Sequence, residues 1–264
     1  MTRHVFFFLH VFFFFLQKKK MSSKYRRRDK IIERIRNNIK ELNEKKENKP
    51  KVILLATGSY NPIHKMHVNV FNLVKSQLSS RFNIVAALLS PSHDEYLLYK
   101  FYSEKKSILN LDTRLTLAEY EVENSGLFDF LFVDDWEGLQ SGFKDFPKIV
   151  DNVRDMCNLE FGKEIDLVIY ISGYDHFLNC NSGPLANKKG VGVAVVERPG
   201  YSNSSFDESC NVKTERVYFI KSDLDFDVSS TKVREMFSKK DYVKLKEHMC
   251  KKSIDYLVEK EYLT

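Results

Sequence analysis

No stretch of this sequence is apolar for long enough to cross a bilayer as a helix. The richest run, Val5 to Leu16, packs seven phenylalanines between Phe6 and Phe15, yet a spanning helix needs about 20 residues. A single Arg3 precedes it in the manner of a secretory signal, but Lys18-Lys19-Lys20 follows in place of a small-residue cleavage site. Two readings stand for residues 1–20, a membrane-surface anchor or residues upstream of a start at Met21. The stretch is treated as an apolar and basic leader outside the fold, and a membrane is not expected as a partner.

Cysteine is scarce as well. Cys157, Cys180, Cys210 and Cys250 are the only four, widely spaced and without a Cys-x-x-Cys pair. That pattern argues against a zinc site and a disulfide framework, and points to a reducing compartment, nucleus or cytoplasm. No metal-ligating side chains are expected. Tryptophan occurs once, at Trp136, and there is no 20–50-residue repeat.

Acidic residues are thin only at the start of the chain. The net charge is +6, but 16 of the 42 Lys/Arg and five of the 36 Asp/Glu fall in residues 1–51, so the remainder is net acidic. The basic character belongs to the leader, which argues against nucleic acid as a ligand of the main body. Residues 21–50 form a basic extension, helical or disordered. Ile31, Ile32, Ile35, Ile39 and Leu42 fall on one side of a possible helix there, and a solvated helix or tail is the plainer reading. Folded chain is expected from Lys51 onward.

From Lys51 the chain alternates between short apolar runs and amphipathic stretches. Runs at 51–56, 83–89, 128–133, 165–171, 191–196 and 217–220 read as buried strands. The stretches between them read as helices. Strict alternation predicts an α/β fold, a doubly wound, Rossmann-like, mostly parallel six-stranded sheet with helices on both faces. Ser92 to Asn110 reads as a polar and aromatic loop of lid length, and Asp112 as the cap of the helix after it. Arg114, in that helix's first turn, hints at an anionic ligand.

The ten residues Gly58-Ser-Tyr-Asn-Pro-Ile-His-Lys-Met-His67 lie between the first strand and the first helix after it, at the edge where open α/β sheets bind ligands. Gly58 allows close backbone approach, Ser59 adds a hydroxyl, and the helix start supplies free N–H groups to an anion. His64 and His67 are one helical turn apart and can donate to phosphoryl oxygens. Two exposed histidines after a glycine turn are the bland alternative. Near the other end, Asp227-Val-Ser-Ser-Thr-Lys-Val-Arg234 opens a helix capped by Ser229 or Ser230, with Thr231, Lys232 and Arg234 in its first turn. Two hydroxyls, two cations and a helix N-terminus suit a pyrophosphate or triphosphate. Trp136 reads either as core or as a stacking surface for a planar heterocycle, and Asp175 either as an N-cap or as a ribose partner.

Together the first loop and the last helix start resemble the nucleotidylyltransferase superfamily, and within it the eukaryotic nicotinamide/nicotinate mononucleotide adenylyltransferases. Gly58-Ser-Tyr-Asn-Pro with Met66-His67, and Ser229-Ser-Thr-Lys-Val-Arg234, are similar to that family's two signature segments. Between them Ser90-Pro91, Lys105-Lys106, Arg114, Val133 to Gln140, Ser172-Gly-Tyr-Asp175 and Val196-Glu-Arg-Pro-Gly200 fall in the family's order.

The resemblance covers 51–264 as a catalytic domain and implies transfer of AMP from ATP to nicotinamide or nicotinate mononucleotide, with Mg²⁺ carried by the substrate. It implies roles for His67, His64 and Arg234 in catalysis. It places Gly58, Ser59, Ser229, Ser230, Thr231 and Lys232 on ATP phosphates, and Gly58, Ser59, Tyr60, Lys105, Lys106, Trp136, Leu139, Gly173, Asp175 and Arg198 on the mononucleotide or product. Trp136 would stack on the pyridine ring. A homo-oligomer is compatible with the resemblance.

Three departures stand out. His64 occupies a position where many members have Thr. An insertion precedes Lys105. The second stacking Trp of the animal members is missing, with Tyr174 or Phe177 as substitutes. The alternatives are another small-molecule nucleotidylyltransferase, such as one adenylylating phosphopantetheine, and a catalytically weak nucleotide-binding or chaperone-like protein.

Overall fold

The computed structural model describes residues 26–102, 108–197, 214–222 and 228–261. Its centre is a six-stranded sheet in the order β3-β2-β1-β4-β5-β6, with every neighbouring pair parallel. The strands are β1 (Lys51–Gly58), β2 (Asn83–Pro91), β3 (Leu131–Val133), β4 (Leu167–Gly173), β5 (Val191–Val196) and β6 (Val217–Ile220). This is the doubly wound arrangement expected from the alternation of runs. Successive strand residues point to opposite faces, so Val52 and Leu54 of β1 enter one apolar cluster and Ile53 and Leu55 the other.

The helices divide between those clusters. On the first face lie α2 (Lys65–Leu78), α4 (Leu111–Asn124), α7 (Ser230–Ser238), α8 (Tyr242–His248) and α9 (Lys251–Glu259). On the second lie α1 (Arg26–Glu44), α5 (Phe146–Phe161) and α6 (Tyr174–Asn179). The chain runs outward from β1 through β2 to β3 and then returns to β4 beside β1. The winding direction therefore reverses between β1 and β4, and a crevice opens at their carboxyl ends.

Four local readings change. Residues 92–110 are not one loop, because Asp94–Lys100 forms a short helix, α3, with the His93 ring accepting from the Glu95 N–H. Asn110, not Asp112, caps α4, its side chain accepting from Thr113 N at 2.9 Å. β3 begins at Leu131, with Phe128 about half exposed before it. The last change concerns α1, whose Ile31, Ile35 and Ile39 are buried in the second cluster. Its apolar side belongs to the same core as the sheet, as the spacing of its isoleucines allowed, and only its opposite side is solvated. Asn38 further ties α1 to the body, donating to the carbonyl of Val85 at 2.9 Å.

Among the described residues no helix is long and apolar enough to cross a membrane. Residues 1–20, Lys105, Lys106 and Arg198 lie outside the described residues.

Candidate active site

A cavity of about 920 Å³ opens at the carboxyl ends of β1 and β4, lined there by Ala56, Thr57, Ile171 and Ser172. The loop after β1 supplies Gly58, Ser59, Tyr60 and Asn61, α2 supplies His67, and α7 supplies Ser230, Thr231 and Arg234. The two segments singled out in the sequence therefore meet. They also bond directly, since the Ser230 hydroxyl donates to the Pro62 carbonyl at 2.8 Å and the Arg234 guanidinium to the Asn61 carbonyl at 2.8 Å. Residues 168 and 173 positions apart in the chain are held as one surface.

Gly58 is required by a neighbour. A Cβ there would sit 3.0 Å from the Tyr60 ring, and Tyr60 itself adopts a left-handed φ of 45° that few non-glycine residues take. The loop is braced from beneath by Arg114, which is fully buried. Its guanidinium donates to the carbonyls of Leu109, Ser59 and Ser92 and to the Asp94 carboxylate, the last at 2.6 Å. The cation in the first turn of α4 is thus spent on protein groups, which replaces the hint of a ligand there.

His64 caps α2 and is buried, its ring stacked on that of His67 with centroids 3.7 Å apart. The His64 backbone N–H donates to Nδ1 of His67 at 3.2 Å. A neutral ring that accepts at Nδ1 carries its proton at Nε2, so His67 is set as a hydrogen-bond donor. Both rings are held neutral. Burial, then the charge of His248, lowers His64 to about 4, and burial, His64 and Lys100 together push His67 well below its usual range. His67 lines the cavity and His64 stands behind it as support.

Cationic charge in the cavity comes from Lys100, Lys144 and Arg234. Lys100 reaches toward Ser59, Nζ to Oγ 3.5 Å, and burial followed by the nearness of Arg234 lowers its pKa. Glu137 also lines the cavity, buried and accepting from the Ser90 hydroxyl at 2.8 Å. Burial raises it to about 7, against the pull of Ser90 and Ser92. Among the described residues no three His, Cys, Asp or Glu side chains converge as metal ligands.

Part of the lining is aromatic. Phe146 stacks on Tyr170 at 5.5 Å between centroids and meets His176 edge-on at 5.0 Å, and Phe143 stacks on Tyr96 at 4.9 Å. The Tyr170 hydroxyl pairs with Thr57 Oγ1 at 2.9 Å and His176 Nε2 at 3.2 Å. All five rings line the cavity. Motif reading did not single them out for the site, because they come from four separate segments. The one available signal was the density of aromatics between Tyr96 and Phe146.

Tyr174 and Phe177 do not substitute for a missing stacking ring: they are 1% and 5% exposed and fill the second core cluster. Trp136 packs at the edge of that cluster, outside the cavity lining, while its neighbour Glu137 faces the cavity. Leu139 packs on the first cluster. Gly173 lines the cavity; Asp175, in the first turn of α6, does not. Ser229 caps α7, accepting from Lys232 N at 3.2 Å, and neither residue lines the cavity.

Known proteins share this fold. The family model described as Cytidylyltransferase-like matches residues 55–236, from the end of β1 into α7. The chain belongs to that family. A nicotinamide/nicotinic acid mononucleotide adenylyltransferase of Arabidopsis thaliana is 28% identical over 206 residues, covering 73% of this chain and 82% of its own length. A namesake from Oryza sativa subsp. japonica is 34% identical over 103 residues, 39% of this chain and 37% of that protein. Among solved structures, the family member's fold matches that of Plasmodium falciparum nicotinic acid mononucleotide adenylyltransferase complexed with NaAD, with a TM-score of 0.57 at 18% identity. The match covers 81% of this chain and 97% of that one.

Proposed function

We propose that this cytidylyltransferase-like enzyme transfers AMP from ATP to nicotinamide or nicotinate mononucleotide, giving the dinucleotide and pyrophosphate. The observation that carries the reading is the junction of the Gly58–His67 loop with the start of α7, which gathers His67, Ser230, Thr231 and Arg234 around one cavity. The relatives' names agree with it.

In this reaction an oxygen of the mononucleotide's 5′-phosphate attacks the α-phosphorus of ATP. The new P–O bond forms as the bond to the bridging oxygen of the β-phosphate breaks, and pyrophosphate leaves. Such a step needs positioning and charge stabilisation more than a protein nucleophile. His67, with its proton on Nε2, donates to a phosphoryl oxygen without first losing or gaining a proton. Arg234, Thr231 and Ser230, at the positive end of α7, receive the departing pyrophosphate, aided by Lys100. Mg²⁺ would be held by the triphosphate, since among the described residues the cavity offers single carboxylates and no cage, and it would neutralise phosphate charge. The base of the mononucleotide lies against the aromatic wall.

The test is pyrophosphate release by the full chain with ATP and Mg²⁺, offering nicotinamide mononucleotide, nicotinate mononucleotide and phosphopantetheine in turn. Release with either mononucleotide supports the reading. Release with phosphopantetheine alone reassigns the acceptor, and no release with any acceptor removes the enzymatic function.

A further inference from the structure

The helix α1 precedes the segment matched by the family model, which starts at residue 55, yet it reaches the loop that leads from β3 into the cavity. Arg28 is the point of contact. Its guanidinium donates to Asp134 Oδ2 at 2.6 Å and to the side chain of Asn152 on α5, and lies 5.4 Å from the centre of the Trp136 ring. Arg28 is itself 7% exposed and Asp134 fully buried. Beside it, Arg27 approaches Asp135 at 3.9 Å while donating to Glu119 at 2.8 Å.

Asp134 and Asp135 are adjacent buried carboxylates, ion-paired with Arg28 and Arg27 respectively. Without those cations two like charges would share one desolvated turn, and the turn would have to rearrange. The same turn carries Trp136, whose backbone N–H points to Asp134 Oδ1 at 3.4 Å, and then Glu137, which lines the cavity. A displacement there moves the cavity wall. Misplacement of a binding group by about 1 Å can cost on the order of 10²-fold in rate.

We propose that Arg28 is a positioning residue for the active site, with α1 clamping the 134–137 turn, through Asp134 and the Trp136 ring, so that Glu137 stands correctly at the acceptor end of the cavity. Electrostatic pairing and ring contact act together, the guanidinium holding Asp134 on one side and the indole on another. The assignment of the acceptor end rests on the proposed reaction. The clamp itself does not.

The experiment uses the full chain and the variants Arg28→Met, Arg28→Met with Asp134→Asn, and Ile39→Ala. Trp136 is the only tryptophan, so its fluorescence reports the turn directly, whether or not the protein turns over any substrate. Arg28→Met is expected to shift the indole emission and to raise KM for the mononucleotide about tenfold while KM for ATP changes less than about twofold. Ile39, buried in the core and about 16 Å further along α1 than Arg28, should lower the melting temperature when truncated and leave emission and both KM values unchanged. The double variant removes the buried charge together with its partner, so it remains folded if Arg28→Met alone does not, and it should show the same emission shift and KM split. Unchanged emission in a folded Arg28 variant overturns the clamp. An emission shift without a selective rise in the mononucleotide KM overturns the positioning role. Should the wild-type chain show no turnover, the emission shift still decides the clamp separately from the reaction.

Discussion

The two ends of the cavity are built in opposite ways. The end proposed to hold phosphate comes from two contiguous stretches, Gly58–His67 and Ser229–Arg234, locked together through backbone carbonyls of Asn61 and Pro62. The aromatic end is assembled from Tyr96, Phe143, Phe146, Tyr170 and His176, residues drawn from four segments. Contiguity is what made the first readable. A loop that must cradle phosphate needs a glycine, hydroxyls and a helix start in fixed succession, whereas a flat ring can be met by any aromatic that the fold brings alongside.

The sharpest separation of the two ends comes from His67→Ala. Loss of the donor at the phosphate end is expected to lower kcat by at least about 10²-fold with little change in KM for the mononucleotide, as measured by initial rates of pyrophosphate release. Phe146→Leu should do the reverse. It keeps an apolar side chain beside Tyr170 and removes the ring, raising KM for the mononucleotide about tenfold while leaving kcat within about twofold. If both variants alter the same constant, the division of labour between the ends is wrong.

A pH titration of stability contrasts the two ends without substrate. His64 has its folded pKa lowered to about 4, against about 6.5 in the unfolded chain. Its contribution is present above 6.5 and lost as pH falls toward 4, with a slope of about 1 kcal/mol per pH unit. Glu137 is raised to about 7, so its contribution is present below the ordinary range near 4.3 and lost as pH rises to about 7. The two slopes oppose each other between about pH 4.5 and 6.5, so denaturant melts at pH 5, 6 and 7 should show, relative to wild type, stability falling more steeply with rising pH in His64→Thr and rising more steeply with pH in Glu137→Gln.

The smallest expected effect belongs to Gly173. Its φ of −68° suits any residue, and a Cβ there would meet no protein atom within 4 Å. Among the described residues neither backbone nor packing explains the glycine, which lines the cavity. Gly173→Ala should leave the melting temperature unchanged within about 1 °C and raise a substrate KM by a few-fold. Gly58→Ala offers the contrast, because there the Tyr60 ring must give way.

The sheet was legible from β-branched runs and their alternation, and strand ends fell within a few residues of expectation because each run stops where polar residues begin. Asp112 looked like a cap because an acidic residue commonly is one, but Asn110 lay two positions earlier and took the role. Tyr174 and Phe177 looked available beside a motif. Their place on α6 turns both rings into the core, and that depends on how α6 lies against β4, which periodicity over six residues does not reveal. Arg28 was hidden for a related reason. The run Arg26-Arg27-Arg28 has the composition of a solvated stretch, and only tertiary contact showed that Arg28 is buried against a carboxylate and an indole.

Arg114 has a further consequence. Its single guanidinium holds the carbonyls of Ser59, Leu109 and Ser92 at once, from the loop after β1, the approach to α4 and the exit from β2. None of these lengths of chain can open alone without breaking bonds shared with the others. Their amide hydrogens should therefore exchange with solvent as one cooperative group, at a common opening free energy, and the loop after β1 inherits the rigidity of the whole group rather than the looseness usual for a glycine-led connection.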